Sequence, residues 1–126
     1  MLTQFMLNVY SRDIEASVRF YRNQLGFVQT FQYPAEGAPE HVELRLGDSV
    51  LAVSTHAAAV RAGVEPTTGR PFELVVSSDD IDAELARLRA TGVPVLVEPY
   101  DHVAGHRRAY VADPDGFYVV LISTRA

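Results

Sequence analysis

Cysteine and tryptophan are both absent from this chain of 126 residues. Without cysteine, the protein has no disulfides, no thiolate metal ligands and no cysteine nucleophile. Without tryptophan, any stacking on a ligand must come from tyrosine or phenylalanine. No apolar run approaches the roughly 20 residues that span a bilayer, and the first residues lack the pattern of a secretory signal. We therefore expect no membrane partner and a cytoplasmic location.

Basic residues are scarce as well. Eleven Lys and Arg residues stand against 16 Asp and Glu residues, which gives a net charge of -5 with neutral histidines. A surface for duplex nucleic acid needs clustered positive charge, so nucleic acid is not an expected partner. The balance slightly favours neutral or cationic ligands. Three catalytic or cofactor motifs are also missing: the Gly-x-Ser-x-Gly elbow, the phosphate-cradling glycine loop and the dinucleotide fingerprint.

What the chain does contain is an internal repeat. The segment Asp13-Ile14-Glu15-Ala16 returns 67 residues later as Asp80-Ile81-Asp82-Ala83. Each aspartate can cap a helix, and each copy continues with apolar residues at helical spacing before a glycine that can end the helix. These residues are Ile14, Val18, Tyr21, Leu25 and Gly26 in the first copy, and Ile81, Leu85, Leu88 and Gly92 in the second.

Strand patterns around the two helices predict the same order of elements twice. In the first copy, strands are predicted at residues 5–9, 27–33, 41–46 and 49–54, with a hairpin turn at Gly47-Asp48. In the second copy, strands are predicted at residues 72–76, 95–98, 106–112 and 117–122. The sequence therefore predicts an α+β fold of two tandem βαβββ modules.

The length and the apolar content favour one domain. A chain of this size with 48% apolar residues can bury one core of ordinary size. We expect a single domain over residues 1–126, with the first module at about 1–56 and the second at about 72–126. The stretch 57–71 begins with a short helical pattern and is then broken by glycines and prolines, which is typical of a bridge.

Two motifs carry a resemblance to a known family. They are the string Asp13-x-x-Ala16-Ser17-x-x-Phe20-Tyr21-x-x-x-Leu25-Gly26-Phe27 and the turn Asp113-Pro114-Asp115-Gly116 before the last strand. Together with the second helix start, they resemble the glyoxalase, bleomycin-resistance and extradiol-dioxygenase superfamily, also called vicinal oxygen chelate proteins. The resemblance implies curled mixed sheets that enclose a cup, and often a homodimer. It leaves function open, because this fold hosts lyases, isomerases, dioxygenases and proteins that sequester drugs.

The resemblance also implies where a metal would be held. In metal-dependent members, His, Glu or Gln ligands come from the first and last strands of each module. The matching positions in this chain are Met6, Ala52, Glu73 and Val120. A catalytic divalent ion usually takes three nitrogen or oxygen ligands, and only Glu73 offers one. We therefore predict no metal and no other cofactor.

Strand alternation predicts the residues that line the cup. The expected ligand-binding set is Met6, Asn8, Ala52, Ser54, Glu73, Tyr118 and Val120. This lining is mostly apolar with a few polar groups, which suits an aromatic or otherwise apolar small molecule. The alternative is that these residues pack against each other or against a partner subunit.

Glu73 is the candidate catalytic residue. A carboxylate among apolar neighbours needs a raised pKa, a basic partner or a cationic ligand. As a general base it would abstract a proton next to a carbonyl group, and as a binding group it would favour an amine. The structural alternative is an ion pair with Arg45, Arg107 or Arg108.

The histidines give weaker signals. His41 and Glu43 share one side of their strand, and if that side faces the cup they could form a secondary polar or metal site. Alternation alone does not decide which way this side faces. His102 and His106 flank Gly105 in a predicted loop that leads into the strand beginning at residue 106, and a spacing of four on a loop does not place two rings on one face. His56 is expected at the surface.

These observations predict a metal-free homodimeric protein that binds an apolar or aromatic small molecule. The hypothesis includes ligands that also carry a positive charge. The protein would stand nearer to the antibiotic-binding branch of the superfamily than to its enzymes. The alternative is a lyase, isomerase or dioxygenase that uses Glu73 as a base or an unconventional metal site such as His41 with Glu43. A third possibility is an interaction protein whose cup is filled by side chains or by another chain.

Overall fold

The first strand of each module pairs in parallel with the last strand of the same module. The computed structural model describes residues 1–67, 69–103 and 105–123. The chain divides into two compact units, Met1–Thr68 and Gly69–Ala126. Each unit contains one mixed sheet of four strands and one helix between the first two strands. The predicted α+β class and the two tandem βαβββ modules are confirmed.

The sheet of the first unit has the strand order β1-β4-β3-β2. Its strands are β1 (Leu7–Ser11), β2 (Val28–Tyr33), β3 (His41–Leu46) and β4 (Ser49–Thr55). The predicted β3–β4 hairpin is confirmed: Leu46 pairs with Ser49, and Gly47 takes the positive φ of 59° that this tight turn requires. Strand β1 begins two residues later than predicted, because its pairing with β4 starts at Leu7 opposite Leu51.

The sheet of the second unit has the equivalent order, β5-β8-β7-β6. Its strands are β5 (Glu73–Ser78), β6 (Val95–His102), β7 (His106–Ala112) and β8 (Tyr118–Ser123). Strand β6 is longer than predicted, since the pattern read from sequence ended at residue 98. Its irregular pairing with β7, which shifts register twice, hides the simple alternation on which that prediction relied.

The helices begin where the repeated aspartates predict. Helix α1 (Ile14–Arg19) follows Asp13, whose Oδ1 accepts from the Ala16 amide at 3.1 Å. Helix α3 (Ile81–Ala90) follows Asp80, whose Oδ1 accepts from the Ala83 amide at 3.0 Å. Each cap satisfies one of the amides that a helix start leaves without a partner. The two copies of the motif thus have the same local role.

The helices end differently in the two units. Helix α1 continues as a π-helical segment, Phe20–Gln24, which closes with a bond of 3.0 Å from the Phe27 amide to the Tyr21 carbonyl. Helix α3 ends at Ala90 and is followed by the C-cap residue Thr91 and by Gly92, which has a φ of 87°. A further helix, α2 (His56–Ala62), lies in the first unit and ends at Gly63 with a φ of 102°. Among helices of the described residues, none has the length and the apolar character for a membrane crossing.

The core of each unit lies between its helix and one face of its sheet. The predicted helix stripes are confirmed by burial, except that Leu25 at the end of the first stripe is only half-buried. The buried helix residues are Ile14, Val18 and Tyr21 in the first unit, and Ile81, Leu85 and Leu88 in the second. The buried strand residues facing them include Val9, Leu51 and Val53 in the first unit, and Val111, Val119 and Leu121 in the second. The opposite face of each sheet is therefore left for other contacts.

Candidate functional site

The opposite face of the first sheet carries a row of polar side chains. Ala52 on β4 lies between Asn8 on β1 and Glu43 on β3. Two residues further along β4, Ser54 lies opposite His41 on β3. Cross-strand partners point to the same side of a sheet. His41 and Glu43 therefore share the face of Asn8 and Ser54, which alternation within one strand could not decide.

These polar side chains form a hydrogen-bonded chain. The Ser54 hydroxyl donates to Asn8 Oδ1 at 3.1 Å and lies 2.8 Å from His41 Nδ1, and His41 Nε2 lies 2.9 Å from Glu43 Oε2. Because the Ser54 hydroxyl has one hydrogen and gives it to Asn8, it accepts from Nδ1 of His41. Both ring nitrogens are therefore engaged within the cluster.

The four positions that the family resemblance assigns to a metal do not fit one. Met6 lies before β1 and is exposed, whereas Ala52 and Val120 are each 0% exposed and carry only hydrocarbon. Only Glu73 among the four has an oxygen that a divalent ion would bind strongly. Within the described residues, no group of three or more His, Asp or Glu side chains has a geometry that could hold a metal ion. The donor set at these positions is therefore too poor for a catalytic divalent ion.

The opposite face of the second sheet carries a different set of side chains. Glu73 pairs with Tyr118, Val120 pairs with Tyr110, and Ile122 pairs with Arg108. These residues share the face on which the sequence placed Glu73, Tyr118 and Val120. The structure adds Tyr110 to this face, and it adds Arg108, which the sequence suggested only as a possible ion-pair partner of Glu73.

Glu73 has a basic partner, which is one of the three alternatives that its surroundings required. Arg108 Nη2 lies 3.8 Å from Glu73 Oε1, and their side chains are 21% and 38% exposed. This separation allows charge attraction but exceeds a hydrogen bond. The other two predicted partners are engaged elsewhere: Arg45 donates to the Gly47 carbonyl, and Arg107 pairs with Asp82.

The guanidinium of Arg108 is incompletely satisfied. Its Nε is buried and has no hydrogen-bond partner within the described residues. Buried donors in folded proteins nearly always have an acceptor, so an exception calls for an explanation. Arg108 lies on β7, between Tyr100 on β6 and Ile122 on β8.

Aromatic side chains border this ion pair. The rings of Tyr110 and Tyr118 are 6.2 Å apart and nearly perpendicular, an edge-to-face contact. The guanidinium carbon of Arg70 lies 4.7 Å from the centre of the Tyr118 ring, and Arg70 Nε donates to the Gly116 carbonyl at 2.8 Å. Sequence reasoning missed Arg70, because it lies before β5 in the predicted bridge and belongs to no motif.

Exposed apolar side chains extend the same face. Val75 is 52% exposed, Val97 is 41% exposed and Tyr100 is 36% exposed. Val75 pairs with Val120, Val97 pairs with Tyr110, and Tyr100 pairs with Arg108, so all three belong to this side of the sheet. Grouped exposed apolar residues mark a surface that contacts something. We call the set of Glu73, Val75, Val97, Tyr100, Arg108, Tyr110 and Tyr118 the tyrosine face.

Tyr110 has a raised pKa on this face. Burial is the main cause, and the negative charge of Glu73 adds to it, whereas Arg108 acts in the opposite direction. A pKa that is higher in the folded state favours the neutral phenol. The contribution of Tyr110 to the free energy of unfolding is therefore fully present below a pH of about 10, the ordinary tyrosine pKa, and is lost as the pH rises further. Tyr110 is therefore a hydrogen-bond donor at neutral pH.

We expect ultraviolet titration of the folded protein to show a tyrosine component that ionises above the ordinary range and includes Tyr110. The Tyr110→Phe variant should reduce this component by one tyrosine, and Glu73→Gln should lower the Tyr110 pKa because the contribution of the Glu73 carboxylate is removed. Burial remains in Glu73→Gln, so the component should still titrate above a free tyrosine. A titration curve unchanged in Tyr110→Phe would show that Tyr110 ionises normally.

His102 and His106 flank the turn between β6 and β7. His102 closes β6, His106 opens β7 as predicted, and the two are cross-strand partners with rings stacked at 4.8 Å. The prediction of a loop at His102 is wrong, because β6 continues past residue 98 to His102. His56 is half-buried and meets the ring of Tyr10 edge-on at 6.5 Å.

Proteins of known structure share this architecture. A glyoxalase/bleomycin resistance protein/dioxygenase family enzyme from Burkholderia phytofirmans PsJN is similar at 23% identity and a TM-score of 0.79, with 94% of this chain and 95% of that chain covered. Lactoylglutathione lyase from Agrobacterium tumefaciens is similar at 21% identity and a TM-score of 0.78, with 96% of this chain and 92% of that chain covered. TioX from Micromonospora sp. ML1 is similar at 20% identity and a TM-score of 0.76, with 96% of this chain and 98% of that chain covered. These identities establish a shared fold only. No curated protein matches the chain.

A family model matches the sequence over most of its length. The match runs over residues 3–121 and includes both repeated helix starts and the Asp113-Pro114-Asp115-Gly116 turn. The chain belongs to the Glyoxalase/Bleomycin resistance protein/Dioxygenase superfamily.

Proposed function

We propose that this protein binds an aromatic small molecule on the tyrosine face and sequesters it without a metal and without chemical change. The observation that carries the proposal is the combination of a partly exposed ion pair, Glu73 with Arg108, and a border of three tyrosines and two exposed valines. Ligand sites commonly combine apolar contact area with a few polar groups that fix orientation.

The energetics of this face suit a planar aromatic ligand. Burial of apolar area contributes roughly 25 cal/mol per Å², and each well-placed aromatic contact adds about 0.5–1.5 kcal/mol. Tyr110 and Tyr118 already hold each other edge-to-face, so little rotamer freedom remains to be lost when a third ring binds. The face is thus pre-organised for a ring.

We favour binding over catalysis because of how the candidate residues are engaged. Glu73 is the one carboxylate among the four metal-equivalent positions, and it lies beside a guanidinium. On the first sheet, His41 has both ring nitrogens occupied by Ser54 and Glu43. Neither group is presented in the way that a proton-abstracting base or an open metal site requires.

The test is a thermal-shift screen of chelator-treated protein against a panel of aromatic compounds, with Tyr118→Ala and Tyr118→Phe as matched variants. A compound present at about 100 times its Kd should add about 2.7 kcal/mol of stability, on the order of 10 °C in Tm. The shift should shrink in Tyr118→Ala and persist in Tyr118→Phe, which keeps the ring. Absence of any shift across the panel would contradict the proposal.

Recovery of the bound compound separates binding from turnover. Mass spectrometry after prolonged incubation should return the compound unchanged. Conversion that stops in Glu73→Gln would instead support a lyase or isomerase with Glu73 as base.

We also propose that the chain forms a homodimer, an expectation that comes from the family. Light scattering on the purified protein should give twice the mass of 13.9 kDa. A mass of one chain at working concentration would contradict it.

A further inference from the structure

Two guanidinium groups lie near Glu73, although the chain as a whole is acidic. Arg108 lies 3.8 Å from Glu73, and Arg70 lies over the ring of Tyr118, which is the cross-strand partner of Glu73. The net charge of -5 favours cationic ligands in general, but a ligand senses nearby charges more strongly than distant ones, which salt screens.

Among the described residues, neither guanidinium group of this face has a carboxylate at hydrogen-bonding distance. The buried Nε of Arg108 has no acceptor within the described residues, and its Nη2 is too far from Glu73 for a hydrogen bond. Arg70 has no carboxylate partner within the described residues, and its hydrogen bonds go to the Gly116 carbonyl and the Tyr118 hydroxyl. The phenol of Tyr110 is protonated at neutral pH and already interacts with Glu73 as a hydrogen-bond donor. An added acceptor would therefore serve Arg108, whose guanidinium the protein leaves incompletely satisfied.

We infer that the ligand carries a carboxylate, which pairs with the guanidinium of Arg108 while the aromatic part lies against Tyr110 and Tyr118. This inference rests on the proposed binding function and specifies the class of ligand as aromatic carboxylates. The planar fork of a guanidinium matches the two oxygens of a carboxylate.

Glu73 then acts as a competitor rather than as the anchor. It attracts Arg108 without forming a hydrogen bond to it, so it holds the guanidinium near the face in the absence of ligand. A ligand carboxylate pairs with the guanidinium of Arg108 and is repelled by Glu73 at the same time. Removal of the Glu73 charge should therefore strengthen binding of an anion, whereas it would weaken binding of an amine.

The experiment is calorimetric titration with three ring-matched probes: naphthalene-2-carboxylate, naphthalene-2-carboxamide and naphthalen-2-ylmethylamine. We expect the carboxylate to bind about tenfold more tightly than the amide, and the amine to bind most weakly. Arg108→Gln should lower carboxylate affinity at least tenfold and change amide affinity less than about threefold. Glu73→Gln should raise carboxylate affinity severalfold.

Controls keep the outcome interpretable. Arg87→Gln, on the exposed side of α3, should leave all three affinities unchanged. Arg108→Lys keeps the charge but loses the fork, and should give an intermediate affinity even if Arg108→Gln folds poorly. If the amide or the amine binds as tightly as the carboxylate, the carboxylate inference is wrong while the proposed binding function stands. If no probe binds, both are contradicted.

Discussion

Replacement of Tyr21 by Ala is expected to lower the free energy of unfolding by about 3–5 kcal/mol, the usual range for truncation of a large buried aromatic residue. Tyr21 is 1% exposed and lies edge-to-face against Phe20 at 5.1 Å and against Phe27 at 5.7 Å. These three rings sit where α1 becomes a π-helical segment and turns into β2. A cavity there removes contacts from both the helix and the sheet.

Urea denaturation followed by circular dichroism measures this change. The matched control is Phe5→Ala, because Phe5 is 92% exposed and its loss should cost less than about 0.5 kcal/mol. Equal effects of the two substitutions would show that the aromatic cluster does not form part of the core. With a total stability of about 5–15 kcal/mol expected for a domain, Tyr21→Ala removes a large share.

Replacement of Asp113 by Ala is expected to cost about 2–4 kcal/mol. Asp113 is 5% exposed, and its Oδ1 accepts from the amides of Asp115 at 2.9 Å and Phe117 at 2.8 Å. The bond to the buried Phe117 amide contributes about 1.5–3 kcal/mol because its acceptor is charged, and the part-buried bond to the Asp115 amide adds about 0.5–1 kcal/mol. The loss falls on the turn that starts β8.

Asp113→Asn is the control for this prediction. Asparagine keeps a side-chain oxygen at the same place, so it should retain both bonds in weaker form and cost about 1 kcal/mol. Differential scanning calorimetry of the two variants beside the wild type compares them directly. A cost below about 0.5 kcal/mol for Asp113→Ala would mean that Pro114 and Gly116 alone hold the turn.

The features that the sequence predicts well are those with local causes. Asp13 and Asp80 cap helices because an aspartate side chain reaches the amide three residues on, a contact that depends on nothing distant. Gly47 marks the β3–β4 turn for an equally local reason, its positive φ. The family match over residues 3–121 includes this kind of signal at both helix starts.

The features that the sequence does not predict depend on strand register. Whether His41 and Glu43 face Asn8 and Ser54 is set by the pairing of β3 with β4, which alternation within one strand does not contain. The same holds for Arg108: three arginines were plausible partners of Glu73, and register across β5, β8 and β7 selects one. The hairpin pair His102 and His106 was missed because register shifts in β6 hide its length.

The two sheets show how one topology supports different chemistry. In the first unit, the open face carries a continuous chain of hydrogen bonds from Asn8 through Ser54 and His41 to Glu43. In the second unit, the equivalent face carries a loose ion pair and an unsatisfied guanidinium. A fully satisfied network favours rigidity, whereas unsatisfied donors favour a ligand. This contrast is why we assign binding to the tyrosine face.

Calorimetric titration of naphthalene-2-carboxylate separates metal-free binding from metal-dependent binding. One protein sample is exhaustively chelated, and the others are then given stoichiometric Zn²⁺, Mn²⁺ or Ni²⁺. We expect one molecule to bind per chain with the same Kd in every sample. Binding that appears only when a metal is restored would contradict metal-free sequestration, since the ligand would then depend on an ion for which Met6, Ala52 and Val120 offer no suitable donors.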